Sequence, residues 1–362
     1  MTADGSPGEA TSVLAGVGTG VGSMPGTDER EVAAVVTGEL PDLPFLPELP
    51  DRGAYAGMIG RAATLLVDLH VDLQPAGWRL VPREGLDERR ARATLRHDLD
   101  AFSEAADGAD RAVKTQVTGP LTLAASVERP RGDRILADHG ARRELAESLA
   151  EGLAQHTADL ADRFPAARVG VQVDEPMLAA AMAGAVPTAS GFGRHRALTV
   201  EEASASLALA SAAIRGAGGI PIVHSCAADV DVDLLAGGGF DGISVDLSTL
   251  IRPDGRGLRA GIDADAWSEA VEKGTVVLAG LIPVLEPAGP PPDAVVLTRR
   301  LLTWWGWLGF DEEGATRSLG VTPACGLAAA SPTWARRALD LSRRVAANLV
   351  DDPLADAGFD DA

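Results

Sequence analysis

The feature that most limits the fold of this chain is a regular alternation of short β-type runs with longer helical patterns. Eight runs rich in apolar and β-branched residues are separated by stretches long enough to form helices. This alternation is typical of βα units with parallel strands, and eight strands close a (β/α)8 barrel. We therefore predict an α/β chain that folds as a single-domain (β/α)8 TIM barrel, irregular at its weak second run. The predicted strands span residues 17–23, 44–46, 113–117, 169–173, 220–224, 243–246, 275–279 and 319–322.

The remaining patterns give the helices and the ends of the barrel. Thr199, followed by Glu201 and Glu202, is a typical helix start, and the glycines of 216–219 end the same helix. We predict a disordered leader over residues 1–15, a catalytic barrel over 16–350 and an acidic tail over 351–362. The predicted helices span residues 29–40, 54–73, 87–106, 134–163, 200–216, 264–273, 293–307 and 332–348.

Charge and composition argue against several classes of partner. The chain carries 32 basic and 52 acidic residues, a net charge of −20, so neither a nucleic-acid nor an anionic-membrane interface is expected. No run approaches the ~20 apolar residues that cross a bilayer, and the first 15 residues lack the pattern of a secretory signal. Two cysteines are too few for a disulfide framework. The sequence therefore predicts a cytoplasmic protein that acts on small molecules, and it leaves the oligomeric state open.

Polar motifs follow six of the predicted strands. A barrel collects the carboxyl ends of its strands on one rim, which is where its functional side chains lie. These motifs therefore predict one shared site. In chain order they are Gly22-Ser23-Met24-Pro25, Thr118-Gly119-Pro120, Asp174-Glu175-Pro176, His224-Ser225-Cys226, Asp246 and Pro323-Ala324-Cys325-Gly326.

Four of these side chains make a metal-ligand set. His224 and Cys226 are two residues apart, so in a strand they project to the same side. Alone this pair is weak, because a small buried cysteine beside a core histidine is an ordinary arrangement. Cys325 and Asp246 fall on the same predicted rim, and thiolates with imidazole and carboxylate select zinc over magnesium or calcium. The sequence thus predicts a Zn²⁺ site, with two structural thiols as the alternative.

Taken in order, these motifs resemble the catalytic barrel of the cobalamin-independent methionine synthase family. H-S-C at 224–226, G-I-S-V-D at 242–246 and T-P-A-C-G-L at 322–327 resemble its zinc-binding pattern. V-G-S-M-P at 21–25, T-G-P-L-T at 118–122 and V-Q-V-D-E-P at 171–176 resemble other segments of the same barrel. The resemblance covers about residues 15–350, room for one of the two barrel-like halves of long members. It implies methyl transfer from methyltetrahydrofolate to the thiol of homocysteine, with zinc binding that thiol.

The resemblance also implies roles for individual residues. His224, Cys226 and Cys325 would ligate zinc, and Asp246 stands where the family has a glutamate. Because aspartate is shorter, Asp246 would hold zinc at longer range or through water. The catalytic pair would be Asp174 and Glu175, and the substrate-binding residues would be Asp174 for the ammonium group, Ser23 for the carboxylate, and Thr118.

The sequence departs from the family pattern in two places. The family carries a histidine after its seventh strand, thought to protonate the departing donor, whereas residues 280–283 read GLIP. The family also has an acidic residue in its amino-acid site, and no residue near Trp78 matches it. Among the tryptophans, Trp78 is the better candidate for stacking on a donor ring. His195 is a candidate replacement for the missing histidine.

These departures leave alternatives open. A methylcorrinoid gives up its methyl group without a proton, so the same chemistry with that donor, or with another thiol acceptor, is one alternative. A non-catalytic barrel that binds zinc or a small thiol is a second. A metal-free lyase resembling uroporphyrinogen decarboxylase is a third, which the scarcity of arginine in the rim motifs disfavours.

Overall fold

The computed structural model describes residue 8 and residues 12–228 and 231–351, and parallel strands dominate it. The first two strands form an antiparallel hairpin, and the other six pair in chain order as a parallel sheet. The prediction of parallel βα units is confirmed. The strands are β1 (His70–Gln74), β2 (Gly77–Val81), β3 (Ala112–Thr118), β4 (Arg168–Asp174), β5 (Ile220–Ser225), β6 (Gly242–Asp246), β7 (Val276–Ile282) and β8 (Leu319–Pro323).

Helices connect the strands, and side-chain caps fix where several begin. Thr199 and Glu202 form a reciprocal capping box at the start of one long helix, as the sequence predicts. Seven of the eight predicted helices are confirmed to within a few residues of their ends. The helices are α1 (Glu29–Glu39), α2 (Met58–Ala63), α3 (Leu86–Ala105), α4 (Pro120–Ser126), α5 (His139–Arg163), α6 (Leu178–Met182), α7 (Val200–Gly216), α8 (Val232–Gly237), α9 (Leu247–Leu250), α10 (Ala264–Glu272), α11 (Ala294–Trp307), α12 (Glu312–Ser318) and α13 (Pro332–Val350).

The predicted helix over residues 54–73 is wrong in its second half. Helix α2 ends at Ala63, and the hairpin of β1 and β2 takes over from His70. Val71 is fully buried, and Trp78 packs on the hairpin as a second buried residue. Pro75 and Ala76 form the turn between the strands, a connection that a proline favours over a continuing helix. Each strand of the hairpin thus buries one side chain, Val71 in β1 and Trp78 in β2.

The first two predicted strands are also wrong as regular strands. Residues 17–23 and 44–46 lie along the edge strands β8 and β3 through single bridges rather than ladders. Glycine at alternate positions 16–22 weakens a strand, and prolines at 41, 44, 47 and 50 remove backbone donors. The six ladder strands therefore do not form a closed ring by themselves. The bridges join Gly18 with Val321, Ser23 with Glu48, and Phe45 with Lys114.

Part of the predicted leader belongs to the core. Residues Ser12–Leu14 form a 3₁₀ turn, and Leu14 is completely buried at the amino ends of the strands. The rest of the predicted leader, apart from residue 8, lies outside the described residues, as does the predicted tail beyond Asp351. Across the residues that the structure covers, no helix combines the length and apolar character needed to span a bilayer.

The inner face of the parallel sheet changes character along the strands. At the amino ends an apolar cluster surrounds Leu14; its other members include Val17, Leu43, Ile220, Ile222, Val276 and Leu278. At the carboxyl ends the register places polar residues side by side: Asp174 is paired with His224, and His224 with Ser244. The outer face is covered by helices, where Trp304 and Trp305 are buried. These two tryptophans therefore belong to the packed layer between the sheet and its helices.

Candidate metal centre

Three predicted metal ligands meet at the carboxyl ends of the strands. His224 lies near the end of β5, Cys226 directly follows β5, and Cys325 follows β8. Their ligand atoms all lie within 4.8 Å of one another. The two sulfur atoms are 3.2 Å apart although 99 residues separate them. Because β6 and β7 lie between β5 and β8, the contact requires a strongly curled sheet.

The imidazole of His224 is oriented by a neighbouring strand. Its Nδ1 lies 2.9 Å from the hydroxyl oxygen of Ser244 on β6. Its Nε2 is buried and has no hydrogen-bond partner in the described part of the chain. A buried ring nitrogen without a partner is costly, whereas a metal ion would satisfy it. Ser244 is thus the outer partner that leaves Nε2 free for a metal, a role that the sequence reasoning missed.

The two thiols polarise each other. Cys325 donates a hydrogen bond to Cys226, which lowers the pKa of Cys226 to about 7 and raises that of Cys325 well above its usual range. Metal binding requires thiolates, and one is accessible near neutral pH. Two sulfur donors with one imidazole form a typical three-residue zinc set. Together with the unpartnered Nε2 of His224, they fit a zinc ion.

The fourth predicted ligand, Asp246, has a different contact. Its carboxylate accepts a hydrogen bond of 2.8 Å from the backbone N–H of Ser248, at the start of the short helix α9. It is not among the side chains whose ligand atoms lie within 4.8 Å of one another in the described residues. The structure therefore does not bring Asp246 into the cluster, and direct ligation by it stays a prediction.

Asp174 lies beside the cluster, as predicted for a substrate-binding carboxylate. It pairs in register with His224 and is only 8 % exposed. Burial raises its pKa to about 6, so the group is mostly ionised at neutral pH. Gln172, two residues earlier on β4, donates a hydrogen bond of 2.7 Å to its Oδ1. A buried anion at this position suits a cationic group of a substrate.

The sequence reasoning missed the buried amine that supports Asp174. The ammonium of Lys114 donates 3.0 Å hydrogen bonds to the carbonyl of Val21 and to Oε1 of Gln172. Burial lowers the pKa of Lys114 to about 8. Gln172 also donates to the carbonyl of Val21, at 2.9 Å. Lys114 and Gln172 therefore join Asp174 to the segment that leads into Ser23.

The same network continues on the other side of Lys114. Gln116 donates a 3.3 Å hydrogen bond to Glu48, and the guanidinium of Arg61 lies 3.5 Å from the same carboxylate. Burial raises the pKa of Glu48. A usable signal was present, because Lys114 and Gln116 repeat with a period of two in a strand otherwise read as core.

Ser23 reaches the turn that carries Cys325. The backbone N–H of Leu327 donates to the carbonyl of Ser23 at 2.7 Å. A Cβ at Gly326 would overlap the hydroxyl of Ser23, so glycine permits this close approach without moving that hydroxyl. The structure thus brings the predicted carboxylate-binding residue next to a predicted zinc ligand.

Glu175 and Thr118 contact the helices that follow the strands. Glu175 accepts hydrogen bonds from the backbone of Leu121 and from both the backbone and hydroxyl of Thr122, at 2.6–2.9 Å. Burial raises the pKa of Glu175 to about 7. Thr118 donates a 2.9 Å hydrogen bond to the carbonyl of Met58. These contacts favour structural roles that fix α4 and α2; the predicted catalytic and binding roles stay predictions.

Two further candidates are held by other contacts. The Nε2 of His195 lies 3.2 Å from a carboxylate oxygen of Asp133, a residue with a φ of 67°. His195 therefore lies against the Asp133 loop and is not part of the described metal cluster. Trp78 packs edge-on against Tyr55, with ring centroids 6.1 Å apart, and is only 6 % exposed. It offers little free ring surface for stacking.

The parallel α/β sheet thus carries, at its carboxyl ends, a His/Cys/Cys cluster that could hold a metal ion. The family model described as "Cobalamin-independent synthase, Catalytic domain" matches residues 17–348. The chain therefore belongs to this family of methionine synthase-type enzymes, which are methyltransferases. The resemblance seen in the sequence motifs is confirmed.

Other comparisons are more distant. A solved B12-independent methionine synthase from Shewanella sp. W3-18-1, in complex with selenomethionine, shares 16 % identity with this chain at a TM-score of 0.48. The match covers 77 % of this chain and 72 % of that one. No curated protein sequence matches the chain.

Proposed function

We propose that the protein is a zinc-dependent methyltransferase that moves the methyl group of methyltetrahydrofolate to the thiol of homocysteine, giving methionine. The observation that carries the proposal is the convergence of one imidazole and two thiols within 4.8 Å in a member of this family. His224, Cys226 and Cys325 would hold the metal and leave one position for a ligand from solution. When bound, zinc would supply a Lewis acid that lowers the pKa of the substrate thiol, roughly 8.5 when free.

The neighbouring residues would bind the amino-acid part of the acceptor. The buried carboxylate of Asp174 would pair with its ammonium group, and Ser23 would contact its carboxylate. Lys114 and Gln172 hold both binding elements through the carbonyl of Val21 and Oδ1 of Asp174. Because the carboxylate of Asp174 is buried, its pairing with an ammonium group would be stronger than in water.

The proposed transfer forms one bond and breaks one. A sulfur lone pair of homocysteine forms the new S–C bond, and the electron pair of the N5–CH₃ bond stays on N5 of the folate, which takes up a proton. The thiol proton leaves to solvent when the substrate binds. Residues 280–283, at the carboxyl end of β7, carry no acid or base for N5. This favours a methylcorrinoid donor as the second candidate, since its methyl group leaves without a proton.

We also propose that the six-stranded sheet is the larger part of a (β/α)8 barrel spanning residues 16–350. The backbone hydrogen bonds of the glycine-rich and proline-rich segments support it: Val321 donates to Val17 at 2.9 Å, Glu48 donates to Gly22 at 3.0 Å, and Lys114 donates to Pro44 at 2.8 Å. Each joins neighbouring segments around the ring. The contact between Cys226 and Cys325 gives independent support, because it requires the sheet to curl.

Cytoplasmic location and the choice of small-molecule partners stay predictions from the sequence. The low cysteine count and the net charge of −20 support them.

The proposal is tested by measuring zinc content and zinc K-edge X-ray absorption of the purified protein, with and without homocysteine. We expect one zinc per chain and an additional sulfur neighbour when homocysteine is added. Homoserine, which has oxygen in place of sulfur, is the matched control and should leave the sulfur count unchanged. Methionine formation is then followed with methyltetrahydrofolate and with methylcobalamin as separate donors.

The outcomes separate the competing functions. Zinc with an added sulfur but no turnover with either donor supports a carrier or sensor of small thiols. Zinc that ignores homocysteine contradicts the acceptor assignment. A protein that binds no zinc contradicts the whole proposal and leaves the metal-free lyase.

A further inference from the structure

The two thiols of the metal cluster are placed to react with each other as well as with a metal ion. The sulfur atoms of Cys226 and Cys325 are 3.2 Å apart, and both cysteines are free. A disulfide bond needs an S–S distance of about 2.05 Å, so a movement of roughly 1 Å would bring the two atoms to bonding distance. The chain contains only two cysteines, so each is the other's only thiol partner within one molecule.

The backbone at this contact leaves room for that movement. Neither cysteine takes part in a strand ladder, because β5 and β8 both end before them. The turn of Cys325 is anchored at Leu327, whose N–H donates a hydrogen bond of 2.7 Å. On the Cys226 side, the N–H of Ala227 donates only a long hydrogen bond, 3.4 Å, to the hydroxyl of Ser225. Cys226 is therefore the side that would move, and no strand pairing would break.

Small oxidants have access to the pair. Both cysteines are partly exposed, whereas the ring of His224 beside them is buried. An accessible thiol with a second thiol next to it is typical of redox-sensitive cysteines, because the second thiol traps the first oxidised product. A metal ion would need the same two sulfur atoms as thiolates. Oxidation and metal binding therefore draw on one pair of atoms.

We propose that Cys226 and Cys325 form a reversible disulfide in the metal-free protein, so that hydroperoxides and metal binding compete for the same two thiols. One thiolate attacks an oxygen of hydrogen peroxide, the O–O bond breaks, and the sulfur becomes a sulfenic acid. The second sulfur then forms the S–S bond and expels that oxygen as water. The two thiols lose two hydrogen atoms and two electrons in total, and one peroxide is reduced to two water molecules.

The bond would block the metal cluster until a reductant opens it. Neither sulfur of a disulfide is a thiolate, so two of the three ligands would be lost together while the imidazole of His224 stays in place. A small thiol reverses the step by exchange, first forming a mixed disulfide and then releasing both cysteines. This competition does not depend on which donor or acceptor the enzyme uses.

The test treats the full-length protein, stripped of metal by a chelator, with hydrogen peroxide. We expect the intact mass to fall by two hydrogen atoms (~2 Da) and both thiols to become unreactive toward a thiol reagent in denaturant. Peptide mapping without reductant should place the bond between Cys226 and Cys325 of one chain. Dithiothreitol should restore both thiols.

Three comparisons sharpen the result. The protein loaded with zinc should be oxidised about tenfold more slowly than the metal-free protein, because the metal occupies both thiolates. Cys325→Ser keeps one thiol and should gain an oxygen atom (~16 Da) or join two chains instead. The matched control is Ser244→Ala, which removes the hydrogen bond to His224 and keeps both thiols. It should form the disulfide as readily as the unmodified protein.

Three results would overturn the proposal: no loss of mass in the metal-free protein, a disulfide that joins two chains, or oxidation of the zinc-loaded protein at the metal-free rate. The mass and thiol measurements require no turnover. A protein that forms the bond but transfers no methyl group therefore retains this proposal and loses the proposed function, so the two fail separately.

Discussion

The amino and carboxyl ends of the parallel strands enclose opposite environments on one inner face. At the amino ends Leu14, Ile222 and Leu278 are fully buried among apolar side chains. Toward the carboxyl ends Asp174 and Gln172 fill the same face with a charge and an amide, and the ammonium of Lys114 reaches Gln172 from near the start of β3. Strand β5 contributes to both the apolar and the polar environment, because Ile222 and His224 are two residues apart and share one face.

The difference separates stability from chemistry. Apolar burial at the amino ends contributes about 25 cal/mol to the free energy of folding for each Å² removed from water. It requires only close packing of the side chains. At the carboxyl ends every buried charge needs a partner, and the partners in turn fix the position of the site. Substitutions at the two ends should therefore change different observables.

The largest effect should follow loss of a sulfur ligand. We expect Cys226→Ala to weaken zinc binding by more than the ~10–100-fold that loss of an outer hydrogen-bond partner costs, and to abolish methyl transfer. Zinc affinity is measured by chelator competition and turnover by methionine formation. The comparison variant is Asp246→Ala, which removes a cap of α9 and should reduce zinc binding far less. Equal loss of zinc in both variants would show that Asp246 ligates the metal directly.

At the amino ends we expect a large effect on stability alone. Leu278→Ala leaves a cavity among fully buried side chains and should cost about 2–5 kcal/mol of unfolding free energy, measured in urea. The same substitution at Leu209, which is 38 % exposed on α7, should cost less than about 0.5 kcal/mol. Zinc affinity of the folded protein should be unchanged in both. A parallel fall in zinc affinity with Leu278→Ala would mean that the two ends are coupled.

On the outer face of the sheet, His156 should make the free energy of unfolding depend on pH. Burial against β3 lowers the pKa of His156 to about 4, and its Nε2 lies 3.3 Å from the hydroxyl of Thr115. The unfolded chain binds this proton near pH 6.5, so the stabilisation is complete above pH 6.5 and is lost as pH falls toward 4. We expect the unfolding free energy to change by at most about 3 kcal/mol between pH 6.5 and pH 4. The substitution His156→Gln should flatten the dependence of the unfolding free energy on pH over this range. A profile unchanged by the substitution would contradict it.

The smallest effect should come from the buried amine of Lys114, which supports the carboxyl-end residues from near the start of β3. Lys114→Met keeps the length of the side chain but removes the support of Gln172 and of the carbonyl of Val21. We expect KM for homocysteine to rise about tenfold, or ~1.4 kcal/mol, with zinc content retained and kcat changed less. Lys273→Met, on the exposed end of α10, is the control. A loss of kcat alone, with KM unchanged, would argue against a positioning role.

The sequence predicted the ends of the strands better than their beginnings. His224, Cys226 and Cys325 were recognisable because sulfur and imidazole at strand ends carry a chemical meaning of their own. Lys114 and Gln116 were not, because a period of two inside an apolar strand was taken as core. The hairpin at residues 70–81 was missed because residues 54–73 were predicted as one helix, whereas β1 packs on α3, the helix that follows the hairpin.

The sequence by itself determined the order of the six parallel strands and of seven helices, the cap at Thr199 and the presence of one imidazole and two thiols at strand ends. These follow from local periodicity and residue chemistry. Only the tertiary structure decided that Cys325 meets Cys226 while Asp246 caps a helix. Those outcomes depend on how far the sheet curls and how its loops pack, which sums many long-range contacts that no short segment encodes.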